Sequence, residues 1–252
     1  MPKENESGGP RRPSGDKKRV MSVSGSSTHP LDHPIWNALA STQSRLAEGG
    51  ARARRYPPAI APFAAMVDMS PPSFAALGEL MSRTDHAVLF TTEPVTAPAE
   101  FKVLLAATGE QMIGAPVEPS VQTAEIITLG AADAPAMMEL TKLTRPGPFT
   151  PRTHELGTFL GIRIDGQLVA MAGERMKPAN YTEMTAVCVH PNCRGRGYAQ
   201  MLLGAVSRQI SARGEIPFLH VLSDNAAAIA LYRRQGMEIR RRIWVTVLGR
   251  AV

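Results

Sequence analysis

One stretch constrains the fold more than any other: a β-rich run that breaks into a glycine loop and then into a long amphipathic helix. Tyr181 to Val189 reads as a strand, His190-Pro191 ends it, and Gly195 and Gly197 follow closely. From Tyr198 to Arg213, Ala199, Leu202, Leu203, Val206 and Ile210 then recur on one helical face, and Gly214 supplies a stop. A strand that feeds a one-sided helix needs a sheet to pair in and a layer to pack on. Around this stretch the signals continue as strand Ala124 to Leu129, helix Ala131 to Leu143 and the break Pro146-Gly147-Pro148. Next comes a hairpin, with Phe159 to Ile164 and Leu168 to Glu174 joined by Asp165-Gly166. After the long helix come strand Phe218 to Leu222, helix Ala226 to Gln235 (capped by Asp224 or Asn225, stopped by Gly236) and strand Ile239 to Leu248. The order β-α-β-β-β-α-β-α-β is that of an α+β chain with a mixed sheet.

The loop between strand and helix has a chemistry of its own. Glycine lets the backbone approach a ligand closely. The first turn of a helix offers unpaired N–H groups and the positive end of the dipole, a setting for phosphate or diphosphate. Arg194 and Arg196 add charged donors. The competing reading is a plain strand-to-helix connection with no ligand. A dinucleotide fingerprint would need glycine at position 200, where Gln200 stands, and the chain has no nucleotide triphosphatase loop.

Two motifs in order resemble the GCN5-related N-acetyltransferases. Arg194-x-x-Gly197-x-Ala199 matches the first signature of that family. Asn225-x-x-Ala228-Ile229-x-Leu231-Tyr232-x-x-x-Gly236-Met237 matches its second helical element. Together they are similar to the FR47-like branch over residues 122–252. The resemblance implies a mixed central sheet flanked by helices, an acetyl-CoA cofactor and direct attack of an amine on the thioester. It implies that the strands ending at Val189 and starting at Phe218 splay apart. The pantetheine arm would then pair with the main chain of Val187, Cys188 and Val189, and the diphosphate would sit on the amides of Gly195, Arg196, Gly197, Tyr198 and Ala199 beside Arg194. Asn225 and Ala228 would touch the cofactor. A backbone N–H near Val189 would hold the developing oxyanion. Tyr232 occupies the general-acid position, and Glu183 is the candidate general base, with His190 as a rival that reads better as the bend before Pro191. Tyr181 and Glu183 share a face by two-residue alternation.

Composition supports this class without selecting it. The charge of +6 over 252 residues favours anionic partners in general. The arginine pairs and triples at 233–234 and 240–242 could hold a phosphate of coenzyme A, touch nucleic acid or be solvated surface. Cys188-x-His190-x-x-Cys193 brings together three potential ligands only, so no metal is expected. Two cysteines, no apolar run of about 18 residues and no apolar segment behind the charged N-terminus predict a cytoplasmic protein outside the membrane.

Three segments are expected: a disordered tail over 1–30, an α/β region without a cofactor site over 31–120, and the acetyltransferase domain over 121–252. In the middle segment the pattern of Ile35, Trp36, Leu39 and Leu46 predicts a helix ending near Gly49-Gly50, then a strand Ile60 to Val67, a helix over 73–82 capped by Ser73, and a strand Ala87 to Thr91. Residues 93–120 read as a proline- and glycine-rich connection holding an apolar stretch, Phe101 to Ala107. Gln111-x-x-Gly114 begins a cofactor signature, but Pro116 and Pro119 forbid its helix. This half is read as a truncated copy of the same fold, or as a region that packs against the C-terminal sheet, shapes the acceptor pocket or mediates dimerisation. The expected activity is acetyl transfer from acetyl-CoA to a primary amine of a small molecule or amino acid. A non-catalytic acyl-CoA-binding module and a nucleic-acid-binding protein are the alternatives, and only the first of these also accounts for the two motifs.

Overall fold

A computed structural model describes residues 29–115 and 123–251. The tail reading over residues 1–28 and the prolines at 116 and 119 lie outside the described residues. His29 and Pro30, expected in the tail, belong to a turn in which His29 accepts a bond from the Leu31 amide at 3.1 Å.

The N-terminal half opens with α1 (Pro34–Ala40) and a single 3₁₀ turn at Ser44–Leu46, shorter than the helix expected there. Three short strands, β1 (Glu48–Gly49), β2 (Ala53–Arg55) and β3 (Ala64–Met66), form a small antiparallel sheet of their own. Then come α2 (Pro71–Leu80) and β4 (His86–Thr91). The N-cap of α2 is Ser70. Ser73, the expected cap, is fully buried inside the first turn and donates to Asp68 at 2.6 Å.

The larger correction is β5 (Phe101–Ile113), a thirteen-residue strand where a connection was expected. Next come β6 (Ile127–Leu129), α3 (Ala134–Thr144), β7 (Phe159–Ile164), β8 (Gln167–Glu174), β9 (Tyr181–Val189), α4 (Tyr198–Ala212), β10 (Ile216–Leu222), α5 (Ala226–Arg234) and β11 (Glu238–Arg250). These elements lie where the sequence pattern puts them, within a few residues. The β7–β8 hairpin turns on Asp165 and Gly166, both at positive φ (49° and 80°), as an Asp-Gly turn of this kind requires.

Eight strands form one sheet in the order β4-β11-β5-β10-β9-β8-β7-β6. β5 runs antiparallel between β10 and β11, from Phe218↔Ile113 to Leu222↔Gly109 on one side and from Glu238↔Ile113 to Arg250↔Phe101 on the other. The N-terminal half is therefore woven into the same sheet as the motif-bearing half.

Alternation along β10 divides the core. Leu219 and Val221 pack with Met112, Met184 and the buried face of α4, where Leu202 and Leu203 are fully excluded from water. Burying each such leucine is worth about 1.5–3 kcal/mol. Phe218 faces the other way, into a cluster with Leu31, Ile35 and Leu39 from the start of the chain and with Tyr56, Phe63 and Met176. Among the described residues no helix is long and apolar enough to cross a membrane.

Met112 is fully buried near the C-terminal end of β5, where β10 and β11 pair on either side of it. Met112→Ala is expected to lower the unfolding free energy by about 2–5 kcal/mol in one cooperative transition of the whole chain. Urea unfolding followed by both fluorescence and circular dichroism checks this, and separate transitions for the two halves would contradict the shared sheet.

Candidate active site

The site begins where two parallel strands stop pairing. β9 and β10 are joined at Ile216↔Tyr181, Pro217↔Thr182 and Phe218↔Glu183, and at no later position. Each strand stays paired on its outer edge, β10 to β5 as far as Leu222 and β9 to β8 as far as Val189. Between them the inner edges diverge and leave a wedge lined by main-chain polar groups, which an extended chain can meet as an added strand.

On the β9 side of the wedge the backbone is strained. The register against β8 slips between Met171↔Cys188 and Gly173↔Thr185, which marks a bulge, and Ala186 within it sits at φ 52°. A residue with a Cβ rarely adopts that conformation, and bulges of this kind re-aim local N–H and C=O groups. Val187 and Val189 pack toward α4, whereas Cys188 points into the cluster beneath α3. Burial pushes the Cys188 thiol up to about 11, so it is an inert packing group and offers the cleft only its main chain. Among the described residues no cluster of three or more His, Cys, Asp or Glu side chains could hold a metal ion.

Beyond the strand's end, His190, whose Nδ1 accepts from the Asn192 amide at 3.2 Å, leads into a 3₁₀ turn at Pro191–Cys193. Gly195 and Gly197 then stand at φ 78° and 79°, and a Cβ at either would meet nothing within 4 Å. The glycines serve the turn and leave open space beside it. Gly197 caps α4 without a side chain, so the amides of the first turn (from Tyr198 on) have no capping partner, while Arg194 and Arg196 are exposed next to them. This uncapped and uncrowded turn fits a diphosphate.

On the far side, α5 starts at Asn225, whose Oδ1 accepts from the Ala228 amide at 3.1 Å. Capping thus uses the acceptor of Asn225 and leaves its NH₂ group for a ligand. Tyr232 lies one helical turn beyond Ala228, 9% exposed against the α4 cluster. Its hydroxyl has no hydrogen-bond partner among the described residues, and burial raises its pKa to about 12. It is therefore protonated at neutral pH, as a proton donor must be.

Glu183 is placed differently from the expectation. It does lie on β9 at the head of the wedge, on the face it shares with Tyr181, but it is fully buried and saturated. Arg175 grips it with two bonds, Nε to Oε2 at 2.7 Å and Nη2 to Oε1 at 2.6 Å. His220 Nδ1 stands 2.7 Å from Oε1, and the Met176 amide donates to Oε2 at 3.4 Å. Burial alone would raise the carboxyl, but the Arg175 guanidinium and the His220 bond outweigh it and bring the pKa down to about 2. A carboxylate with about four acceptor positions, all engaged, and so low a proton affinity is a poor base for an amine. The residue expected as the general base thus sits in a buried ion pair.

The network around Glu183 was not legible in the sequence. Arg175 and His220, which bind it, come from the loop after β8 and from β10, and Gln111, which meets His220, comes from β5; no local spacing links them. Gln111 Nε2 lies 2.9 Å from His220 Nε2 and donates to the Leu31 carbonyl at 2.8 Å, while its Oε1 accepts from Arg240 at 2.7 Å. Arg240 and Arg241 both bind Asp32, at 2.6 and 2.7 Å, which takes these two arginines out of the solvated-surface class.

The Glu183 pair carries an acid-stability signature. Its carboxyl is lowered from an ordinary 4.5, so the stabilisation is complete above that value and is lost as pH falls through the folded value near 2. Urea midpoints measured from pH 5 down to pH 2 are expected to fall, and to fall less steeply in Glu183→Gln. An equal slope in the variant would contradict the ionised pair.

Residues 159–245 match the FR47-like protein family. A solved GNAT-family structure from Novosphingobium aromaticivorans is 42% identical, superposes with a TM-score of 0.82, and is matched over 89% of this chain and 100% of that one. The N-alpha-acetyltransferase RimI of Mycobacterium tuberculosis is 36% identical over 140 residues, 48% of this chain and 85% of its own. The ribosomal protein bS18-alanine N-acetyltransferase of Salmonella typhimurium is 28% identical over 133 residues, 49% and 89% of the two chains. With such relatives matched over most of their own length, and with the wedge and glycine turn in place, the chain belongs to the GCN5-related N-acetyltransferase family and is an acyltransferase.

Proposed function

We propose that the protein transfers an acetyl group from acetyl-CoA to a primary amine of a small molecule or amino acid, by direct attack in a ternary complex. The observation that carries this reading is the divergence of β9 and β10 after three pairs, next to an uncapped helix start with open glycines. Acetyl-CoA supplies the activated acyl carbonyl and a thiolate leaving group. The inner edge of β9 from Val187 to Val189 would pair with the pantetheine amides, and a main-chain N–H near Val189, beyond the bulge at Ala186, would hold the developing oxyanion. The amides of residues 195–199, with Arg194 and Arg196, hold the diphosphate. Asn225 and Ala228 border the cofactor from α5. Tyr232, protonated and without a hydrogen-bond partner among the described residues, would deliver a proton to the departing thiolate. The amine gives its proton to water, since Glu183 is already saturated.

The relatives named for N-alpha acetylation support an α-amino group as the acceptor class. Incubation with acetyl-CoA and a panel of amino acids, small amines and alanine-initiated peptides, followed by free-thiol release, tests the reading. Release with at least one α-amine is expected. Tyr232→Phe is expected to lower kcat by about 10²-fold or more while the coenzyme A affinity stays within about threefold by calorimetry. Tight binding without release on any amine, together with indifference to Tyr232→Phe, would favour the non-catalytic module instead.

A further inference from the structure

The main-chain ladder between β9 and β10 ends at Phe218↔Glu183. The next residue of β10 on the same face is His220, and its Nδ1 lies 2.7 Å from Glu183 Oε1. A side-chain bond thus spans the two strands at the point where backbone pairing stops. Across the other edge of β10, His220 stands opposite Gln111 of β5, and their Nε2 atoms are 2.9 Å apart.

The protonation of this chain of groups can be counted. Gln111 Nε2 faces the Leu31 carbonyl and Gln111 Oε1 faces the Arg240 guanidinium. Turning the amide over would set acceptor against acceptor and donor against donor, so its orientation is fixed. Nε2 therefore spends one hydrogen on Leu31 and the other on His220. His220 Nε2 must accept, so its proton sits on Nδ1 and is donated to Glu183. His220 is the neutral Nδ1–H tautomer, with both nitrogens used. Its ring is further held against Phe90 at 4.6 Å, and its side chain is 5% exposed.

We propose that Glu183 and His220 form a positioning latch at the apex of the wedge, which fixes how far β9 and β10 part and so sets the fit of the acyl-CoA, with neither residue exchanging a proton with the substrates. The latch is anchored twice, by Arg175 on the Glu183 side and by Gln111 on the His220 side. Through Gln111 it is tied to Leu31 and Arg240, so the start of the chain helps to hold the cleft. The role in cofactor fit rests on the acyl-CoA reading of the wedge; the latch itself does not.

Three substitutions at position 220 separate the possibilities. Asparagine sets its amide near the place of Nδ1 and keeps a donor for Glu183, glutamine reaches the place of Nε2 and loses that donor, and alanine removes both. In the cofactor-free protein, amide hydrogen exchange at residues 184–189 and 219–222 is expected to speed up in His220→Gln and His220→Ala, and to stay close to the parent in His220→Asn. In the full assay, His220→Gln is expected to raise the KM for acetyl-CoA and the coenzyme A dissociation constant by about tenfold. His220→Asn should restore most of this, and the pH profile of kcat/KM should keep its shape in all folded variants.

Unchanged exchange at the apex in His220→Gln would overturn the latch, as would loss of the rising limb of the pH profile with KM unaltered, which marks a base. Should His220→Ala fail to fold, the asparagine–glutamine pair still decides. Should the parent bind no coenzyme A, the functional reading falls, and the exchange comparison still tests the latch.

Discussion

Two neighbouring parallel strands that pair for three residues and then part are the constraint on which the rest of this molecule depends. A sheet gains by completing its ladder, and unpaired main-chain groups in its interior are costly unless something else meets them. Here β9 and β10 are held apart by structure on both flanks. β8 takes the outer edge of β9 up to Val189, β5 takes that of β10 down to Leu222, and the bulge at Ala186 bends β9 off its register. The open inner edges are thus imposed by the sheet around them, and in the proposed reading they would let a cofactor arm act as a strand.

The same logic explains why so many charges lie under the apex. Burying Glu183 would be prohibitive alone, and it is tolerated because Arg175 meets it with two bonds while itself lying over Phe63 at 4.4 Å. Such pairs contribute modest net stability but tolerate few geometries. A rigid hydrogen-bonded group at the point where main-chain pairing ends is a physical means of fixing an angle between strands. It also accounts for the place of the N-terminal half, which supplies β5 to the middle of the sheet and, through Leu31 and Asp32, closes the network around Gln111, Arg240 and Arg241.

What could be read from the sequence was local. The Asp165-Gly166 hairpin, the apolar stripe of α4, the glycine turn before it and the Asn225-to-Gly236 helix each lie within a short window, so period and turn chemistry suffice. β5 was not legible, because Gly109, Glu110 and Gln111 look like loop residues until β10 and β11 pair with them from more than 100 positions away. The environment of Glu183 was hidden for the same reason. Alternation puts it beside Tyr181 but says nothing of Arg175 or His220, and the difference between an open base and a saturated ion pair lies wholly in those partners.

Hydrogen exchange of individual amides with and without acetyl-CoA is the most direct measurement of the central claim. Strong added protection is expected at residues 186–189 on the inner edge of β9 and at 196–199 at the start of α4, with little change along the β5–β11 ladder. Protection that is absent from both segments, or that gathers instead over α3, would show that the wedge between the diverging strands does not receive the cofactor.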